Sequence, residues 1–186
     1  MRICGEKYLY GIFSGIPIIA PDQGAYERVC RLIKILDGTR FGNFVRRTRL
    51  LIFIARWPRR LEYGAMHYRG DLSRRPVFMS IPDKLILDQD AWDASVIVHE
   101  AEHAFQIKRK GEYKDMEEYA ENERDAMKMQ KKFLSELGAK KELRYINKLL
   151  NEKINYWGDE IKDLWNARER KCRTLYSTLK KKRGIV

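Results

Sequence analysis

His99 and His103 stand four residues apart, with Glu100 directly after the first, in a run (96–107) that reads Val-Ile-Val-His-Glu-Ala-Glu-His-Ala-Phe-Gln-Ile. Residues four apart on an α-helix lie one turn above each other on one face. Two imidazoles so placed can offer ring nitrogens to one divalent cation about 2.0–2.1 Å away. Glu100 is angled toward the same opening. It can take a proton from a water held by that ion, the general-base role in metal-assisted peptide hydrolysis. The chain has three histidines, and two of them fall at this spacing beside this glutamate. Val96, Ile97, Val98, Ala101, Ala104, Phe105 and Ile107 make the helix apolar nearly all round, which predicts burial. Buried imidazoles and a buried carboxylate need partners, and a metal is one. The competing reading is a chance motif with two hydrogen-bonded core histidines.

A catalytic zinc site needs three protein ligands and one open position. No histidine follows His103, so the third ligand must be a carboxylate. The next helical segment offers Glu117, Glu118, Glu121, Glu123 and Asp125. Met116, Tyr119, Ala126, Met127, Gln130, Phe133, Leu134 and Leu137 lie on one face of that segment at about 100° per residue. Glu123 falls in the middle of that face and Glu121 nearly opposite. A glutamate on a core face needs either a metal or a buried salt bridge. Glu117, Glu118 and Glu121 read as a solvated acidic face.

These residues resemble the gluzincins, zinc peptidases of the thermolysin-like clan, whose signature is His-Glu-x-x-His plus a glutamate on the next helix. Here that is His99-Glu100-Ala101-Glu102-His103, then Glu123 twenty residues further on. Glu123-Arg124-Asp125-Ala126 is also similar to the Glu-x-x-Ala form around the third ligand in several small gluzincin families. The rival alignment is Glu121-x-x-x-Asp125, similar to the thermolysin pattern in which an aspartate supports a zinc-bound histidine. The resemblance covers residues 76–137, about a third of the chain. It implies a zincin-like fold, a Zn²⁺ cofactor held by His99, His103 and Glu123, and Glu100 as base. It also implies a strand ahead of the active-site helix (76–81) that lines the cleft and pairs with extended substrate. Gluzincins often stabilise the oxyanion with a His or Tyr; His67, Tyr68, Tyr119 and Tyr145 are the candidates. The metzincin extension, a third His after a Gly, is absent. Residues 1–60 and 140–186 resemble no specific family.

Gln106, one turn below His103, could line the site, hold a ligand or simply pack. Trp92 shares that face and reads as core. The elements that must position these groups follow from the rest of the pattern. Residues 25–36 place Val29, Leu32, Ile33 and Leu36 at helical spacing, stopped by Gly38. Residues 44–55 are rich in β-branched and aromatic types and read as a strand, with shorter strands at 61–68 and 76–81. Asp90 caps a helix over 91–110 that Gly111 ends; a second spans 115–137, stopped by Gly138. A third spans 140–157, and a fourth, capped by Asp159, runs to about residue 182. The expected class is therefore α+β: an N-terminal helix with a small sheet, then the active-site helix, the third-ligand helix and two long C-terminal helices. Residues 1–138 form the expected peptidase domain, and 139–186 a helical extension packed on it. That extension could also cover the cleft, as in a self-inhibited zymogen.

The 186 residues suit one domain with an appendage, and 44% apolar residues exclude a disordered chain. Cys4, Cys30 and Cys172 are too sparse for a disulfide framework. No apolar run approaches the roughly 20 residues of a membrane span. The apolar stretch 8–20 lacks a signal-peptide cleavage pattern and reads as a buried opening segment, which places the protein in the cytoplasm. The net charge is +12. Residues 40–75 carry ten arginines against two acids, interleaved with aromatics, and 180–183 add Lys-Lys-Lys-Arg. This suits nucleic acid, an acidic membrane surface or plain solubility. A basic nucleic-acid-associated protein with a structural or vestigial zinc site is the alternative to a peptidase acting on peptide or protein substrate.

Overall fold

The computed structural model describes residues 2–3, 6–55, 78–82, 90–111 and 115–151. The architecture is α+β. Its elements in chain order are β1 (Arg2–Ile3), β2 (Glu6–Lys7), β3 (Leu9–Phe13), β4 (Ile16–Ala20), α1 (Gln23–Asp37), α2 (Phe41–Arg47), β5 (Leu51–Ala55), β6 (Phe78–Pro82), α3 (Asp90–Lys110), α4 (Met116–Glu136) and α5 (Lys140–Asn151). β1 and β2 form a small antiparallel pair, while the main sheet runs β3-β4-β5-β6. β3 and β4 are antiparallel, and β4, β5 and β6 are parallel. The apolar stretch 8–20 is thus a hairpin rather than one buried segment. Ser14 and Gly15 turn it, both at positive φ, as a two-residue hairpin loop requires. β5 (Leu-Ile-Phe-Ile-Ala) and β4 (Ile-Pro-Ile-Ile-Ala) lie inside the sheet and read as continuous apolar runs, the signature of strands covered on both faces.

One sheet face carries Ile16, Ile18, Ala20, Ile52 and Ile54 into the main core. There they meet the buried stripe of α1: Val29, Leu32, Ile33 and Leu36. Asp22 caps α1 by accepting from the Ala25 N–H at 2.9 Å. The opposite sheet face holds Ile19, Leu51 and Phe53, all buried, with the Tyr8 ring against Phe53 at 5.4 Å. From the sheet outward, α1 packs on β3 and β4, α3 on α1 and α2, α4 on α3, and α5 on α4. Ile146 of α5 is fully buried in the same core as Phe133 and Leu134 of α4. Arg28 of α1 donates to Asp93 of α3 at 2.5 Å, a buried tie between those helices.

The continuous strand expected over 44–55 is not formed. Residues up to Arg47 belong to α2, and only Leu51–Ala55 is extended. Tertiary contacts override the β-propensity here. Phe41 and Val45, one turn apart, both reach the core, and Phe41 meets Phe133 edge-on at 5.5 Å. Thr39 Oγ1 accepts from the Phe41 N–H at 3.1 Å, which opens the helix without a strand-like exit. The guanidinium of Arg46 binds Asp37 at the end of α1 and donates to Asn43 at 2.9 Å. Arg40 clasps Glu136 at the far end of α4. Gly42 sits where α2 crosses α1: a Cβ there would stand 2.9 Å from the Leu36 carbonyl oxygen and 3.0 Å from Asp37 Cα. Because both obstacles are backbone, Gly42→Ala is expected to cost about 1–3 kcal/mol. Urea denaturation would read this as a lowered midpoint at an unchanged slope.

The strand expected at 76–81 is present as β6, and the helices expected over 91–110 and 115–137 are α3 and α4. Gly111 and Gly138 end them at positive φ. The helix expected over 140–157 is described as far as Asn151. The strand at 61–68, the helix at 159–182, His67, Tyr68, Cys4, Cys172 and the basic tail lie outside the described residues. Among the described residues, no helix is long and apolar enough to cross a membrane.

Candidate metal centre

α3 is the helix that the sequence marks as apolar all round, and its middle is buried on nearly every side. α4 runs antiparallel to it. Early α3 meets late α4 where Gln130 Nε2 donates to Ser95 Oγ at 2.8 Å, and Ser95 in turn donates to the Trp92 carbonyl. Late α3 meets early α4 where Gln106 Nε2 donates to the Asn122 carbonyl at 3.0 Å. Between those two ties, Glu123 projects from α4 onto the turn of α3 that carries both histidines.

Three side chains meet there. His103 Nε2 lies 3.0 Å from Glu123 Oε1, His99 Nε2 lies 3.4 Å from Glu123 Oε2, and the two Nε2 atoms are 3.0 Å apart. All three side chains are largely buried, with 7–13% of each exposed. Four ligands at about 2.0–2.1 Å from a tetrahedral zinc stand about 3.3–3.4 Å from one another. The separations match the edge of such a tetrahedron, with each histidine facing a different oxygen of Glu123. Two ring nitrogens and a carboxylate at these separations repel unless a positive centre, protons or a cation, lies among them. Two imidazoles and one carboxylate are a donor set that could hold a divalent metal ion.

Glu100 is 4% exposed. Burial pushes its carboxyl up to about 8; His103 opposes the shift and the nearby Glu123 charge adds to it. A cation among the three donors would draw it back down. Burial also acts to raise the Glu123 carboxyl, but hydrogen bonds from His103 and His99, with their charge, outweigh it and hold that carboxyl well below the usual carboxylate range. Glu123 is therefore anionic in the site, as a metal ligand must be. Asn122, beside it, buries a side-chain oxygen that has no hydrogen-bond partner among the described residues. Polar atoms are thus concentrated at this level of an otherwise apolar helix pair.

No family model, curated protein or solved structure matches the chain.

The other sequence candidates separate cleanly. Glu121 and Asp125 are exposed on the far side of α4, and Asp125 accepts from Lys128 at 2.8 Å. Glu117 is exposed and Glu118 half-buried in the first turn. Tyr119 is half-buried on α4. Tyr145 is 44% exposed on α5 and meets Trp92 edge-on at 5.1 Å, so this pair closes the α3–α5 side of the core. Gln106, for which packing and a site role were open, touches His103 directly: its Oε1 is 2.9 Å from Nδ1. Its position one turn beyond His103 was the signal available for it. Of the basic region 40–75, Arg40 and Arg46 are engaged with Glu136 and Asp37, while Arg47 and Arg49 are exposed. A separate surface groove of about 660 Å³ over α4 is lined by Arg40, Lys128, Lys131, Lys132, Ser135 and Glu136. It includes none of the three donor residues.

Proposed function

We propose that the chain is a zinc-dependent peptidase of gluzincin type with a zincin-like catalytic core. The observation that carries this reading is the meeting of His99 Nε2 and His103 Nε2, 3.0 Å apart, with the two oxygens of the Glu123 carboxylate at 3.4 and 3.0 Å, beside the buried carboxyl of Glu100. His99, His103 and Glu123 would hold the cation. When bound, such an ion lowers the pKa of water toward 7 and polarises a carbonyl. Glu100 is the proton carrier: its carboxylate takes a proton from the attacking water and delivers it to the leaving amine as the peptide C–N bond breaks. Its burial excludes bulk water from that transfer. The substrate class is extended peptide or unfolded protein, which suits β6, the last strand of the sheet among the described residues. The basic groove over α4 and the net charge of +12 support a second reading, a nucleic-acid-associated protein with a structural zinc. Glu100 favours the first, because a structural site has no use for a base beside its ligands.

Protein purified without chelators is expected to carry about one zinc per chain. It should cleave an unstructured protein such as casein, stop when a chelator is added and resume when zinc is restored. Metal-free protein that neither takes up zinc nor cleaves would overturn the proposal. Zinc uptake without cleavage, together with steeply salt-dependent nucleic-acid binding, would favour the second reading.

A further inference from the structure

We infer that Gln106 is a positioning residue that fixes the tautomer of His103 and locks it in register with the turn of α4 that carries Glu123. This rests on the zinc-site reading for its consequence, but its geometry stands alone. The Asn122 backbone carbonyl can only accept, so the Gln106 group 3.0 Å from it must be the NH₂. That fixes which way the amide faces and turns Oε1 toward His103. Oε1 can only accept, so His103 Nδ1, at 2.9 Å, must carry a hydrogen. Nε2, which faces Glu123 and His99 and donates to the Glu123 carboxylate, is then the nitrogen left to give up its hydrogen to a cation on that side. One pure acceptor on the backbone of α4 thus dictates, through two hydrogen bonds, which nitrogen of an α3 histidine is available for ligation.

The chain of contacts needs an amide. Gln106 is 7% exposed and both of its polar ends are used. A carboxylate would keep the bond to Nδ1–H and lose the donor to Asn122. A leucine would lose both. Asn122 immediately precedes Glu123, so the same contact sets the height of the third ligand against the two histidines. No such partner holds His99 Nδ1 among the described residues, which leaves His103 as the ring whose orientation is predetermined.

The test uses the full chain as metal-free protein and with zinc alone. In metal-free wild type, long-range ¹H–¹⁵N correlation of the imidazoles is expected to show a hydrogen on His103 Nδ1, beside the one that Nε2 donates to Glu123. Gln106→Leu should remove the Nδ1 hydrogen and weaken zinc binding, measured by chelator competition, by about 10–100-fold. Gln106→Glu should keep the Nδ1 hydrogen and bind zinc more tightly than Gln106→Leu but less tightly than wild type, because the acceptor to the ring is retained while the donor to Asn122 is lost. A purely structural tie would instead destabilise both variants alike and leave the tautomer untouched. A wild-type His103 Nδ1 without a hydrogen overturns the assignment, as does Gln106→Leu with an unchanged Nδ1 hydrogen and zinc affinity within about twofold. Should Gln106→Leu fail to fold, the wild-type tautomer and Gln106→Glu still decide. Should the wild type bind no zinc, the peptidase reading falls, while the tautomer still settles what Gln106 does.

Discussion

Glu100→Gln is expected to leave the zinc content at its wild-type level and to reduce peptide hydrolysis by about 10²–10⁴-fold. The substitution keeps the shape and burial of the side chain and removes its ability to accept a proton. The three groups that would hold the ion are untouched, because Glu100 is neighbour to His99 and not one of the meeting donors. Metal analysis and initial rates on the same preparation separate the two roles. Exchanging this carboxyl for an amide also removes a group whose burial lifts it to about 8, so folding stability should not fall and can rise. The sign follows from that lift: the unfolded chain ionises Glu100 at lower pH than the folded chain does. In metal-free protein Glu100 thus opposes folding increasingly as pH climbs from the unfolded value toward 8, and the glutamine variant escapes that. A variant that retains full hydrolysis would remove Glu100 from the reaction, and a variant that loses its zinc would mean that Glu100 helps to hold the ion.

Removal of the metal is expected to lower the midpoint of thermal unfolding by about 5–15 °C. Free ligand at about 100 to 1,000 times its Kd adds about 2.7–4.1 kcal/mol to the native state, and in a chain of this length each kcal/mol moves the midpoint by about 2–4 °C. The contribution is large here because two imidazoles and an anionic carboxylate, all mostly buried, face one another at 3.0–3.4 Å and lack a shared positive centre once the ion is gone. His99→Ala should abolish the response to chelator and to added zinc, since one corner of the donor triangle is lost. Differential scanning of wild type and variant, each with chelator and with zinc, checks this. The zinc-dependent part of the shift should shrink as pH is lowered, because protons compete for the ligand atoms. Glu123, held low, contributes stability that is present above the ordinary carboxylate pKa of about 4.3 and is lost only as pH falls well below it. An unchanged midpoint on chelation at every pH would mean that no metal is bound.

Much of the α-helical half was legible in advance because helical spacing and caps are local signals. Asp115 and Gly138 bracket α4, Gly111 ends α3, and the buried stripe of α1 falls at Val29, Leu32, Ile33 and Leu36 as the spacing predicts. The helical face of α4 also singled out Glu123 over Glu121: one reaches both histidines and the other is exposed. The segment 41–47 was misleading for the opposite reason. Its residue types favour a strand, and contacts with Phe133 and Glu136, distant in the chain, together with Asp37 at the end of α1, hold it as a helix. The hairpin at 9–20 was hidden likewise, since the half-buried Leu-Tyr-Gly-Ile-Phe of β3 and the buried Ile-Pro-Ile-Ile-Ala of β4 give no apolar–polar alternation to read.

The sequence by itself determined that two imidazoles and a carboxylate share one helical neighbourhood, because a four-residue step on a helix is geometry that no tertiary contact changes. Only the tertiary structure decided how close Glu123 comes to them, and that Gln106 rather than solvent holds the outer nitrogen of His103. Both depend on the antiparallel register of α3 against α4. That register is set by side chains that interlock across the interface, and no local pattern in either helix encodes it.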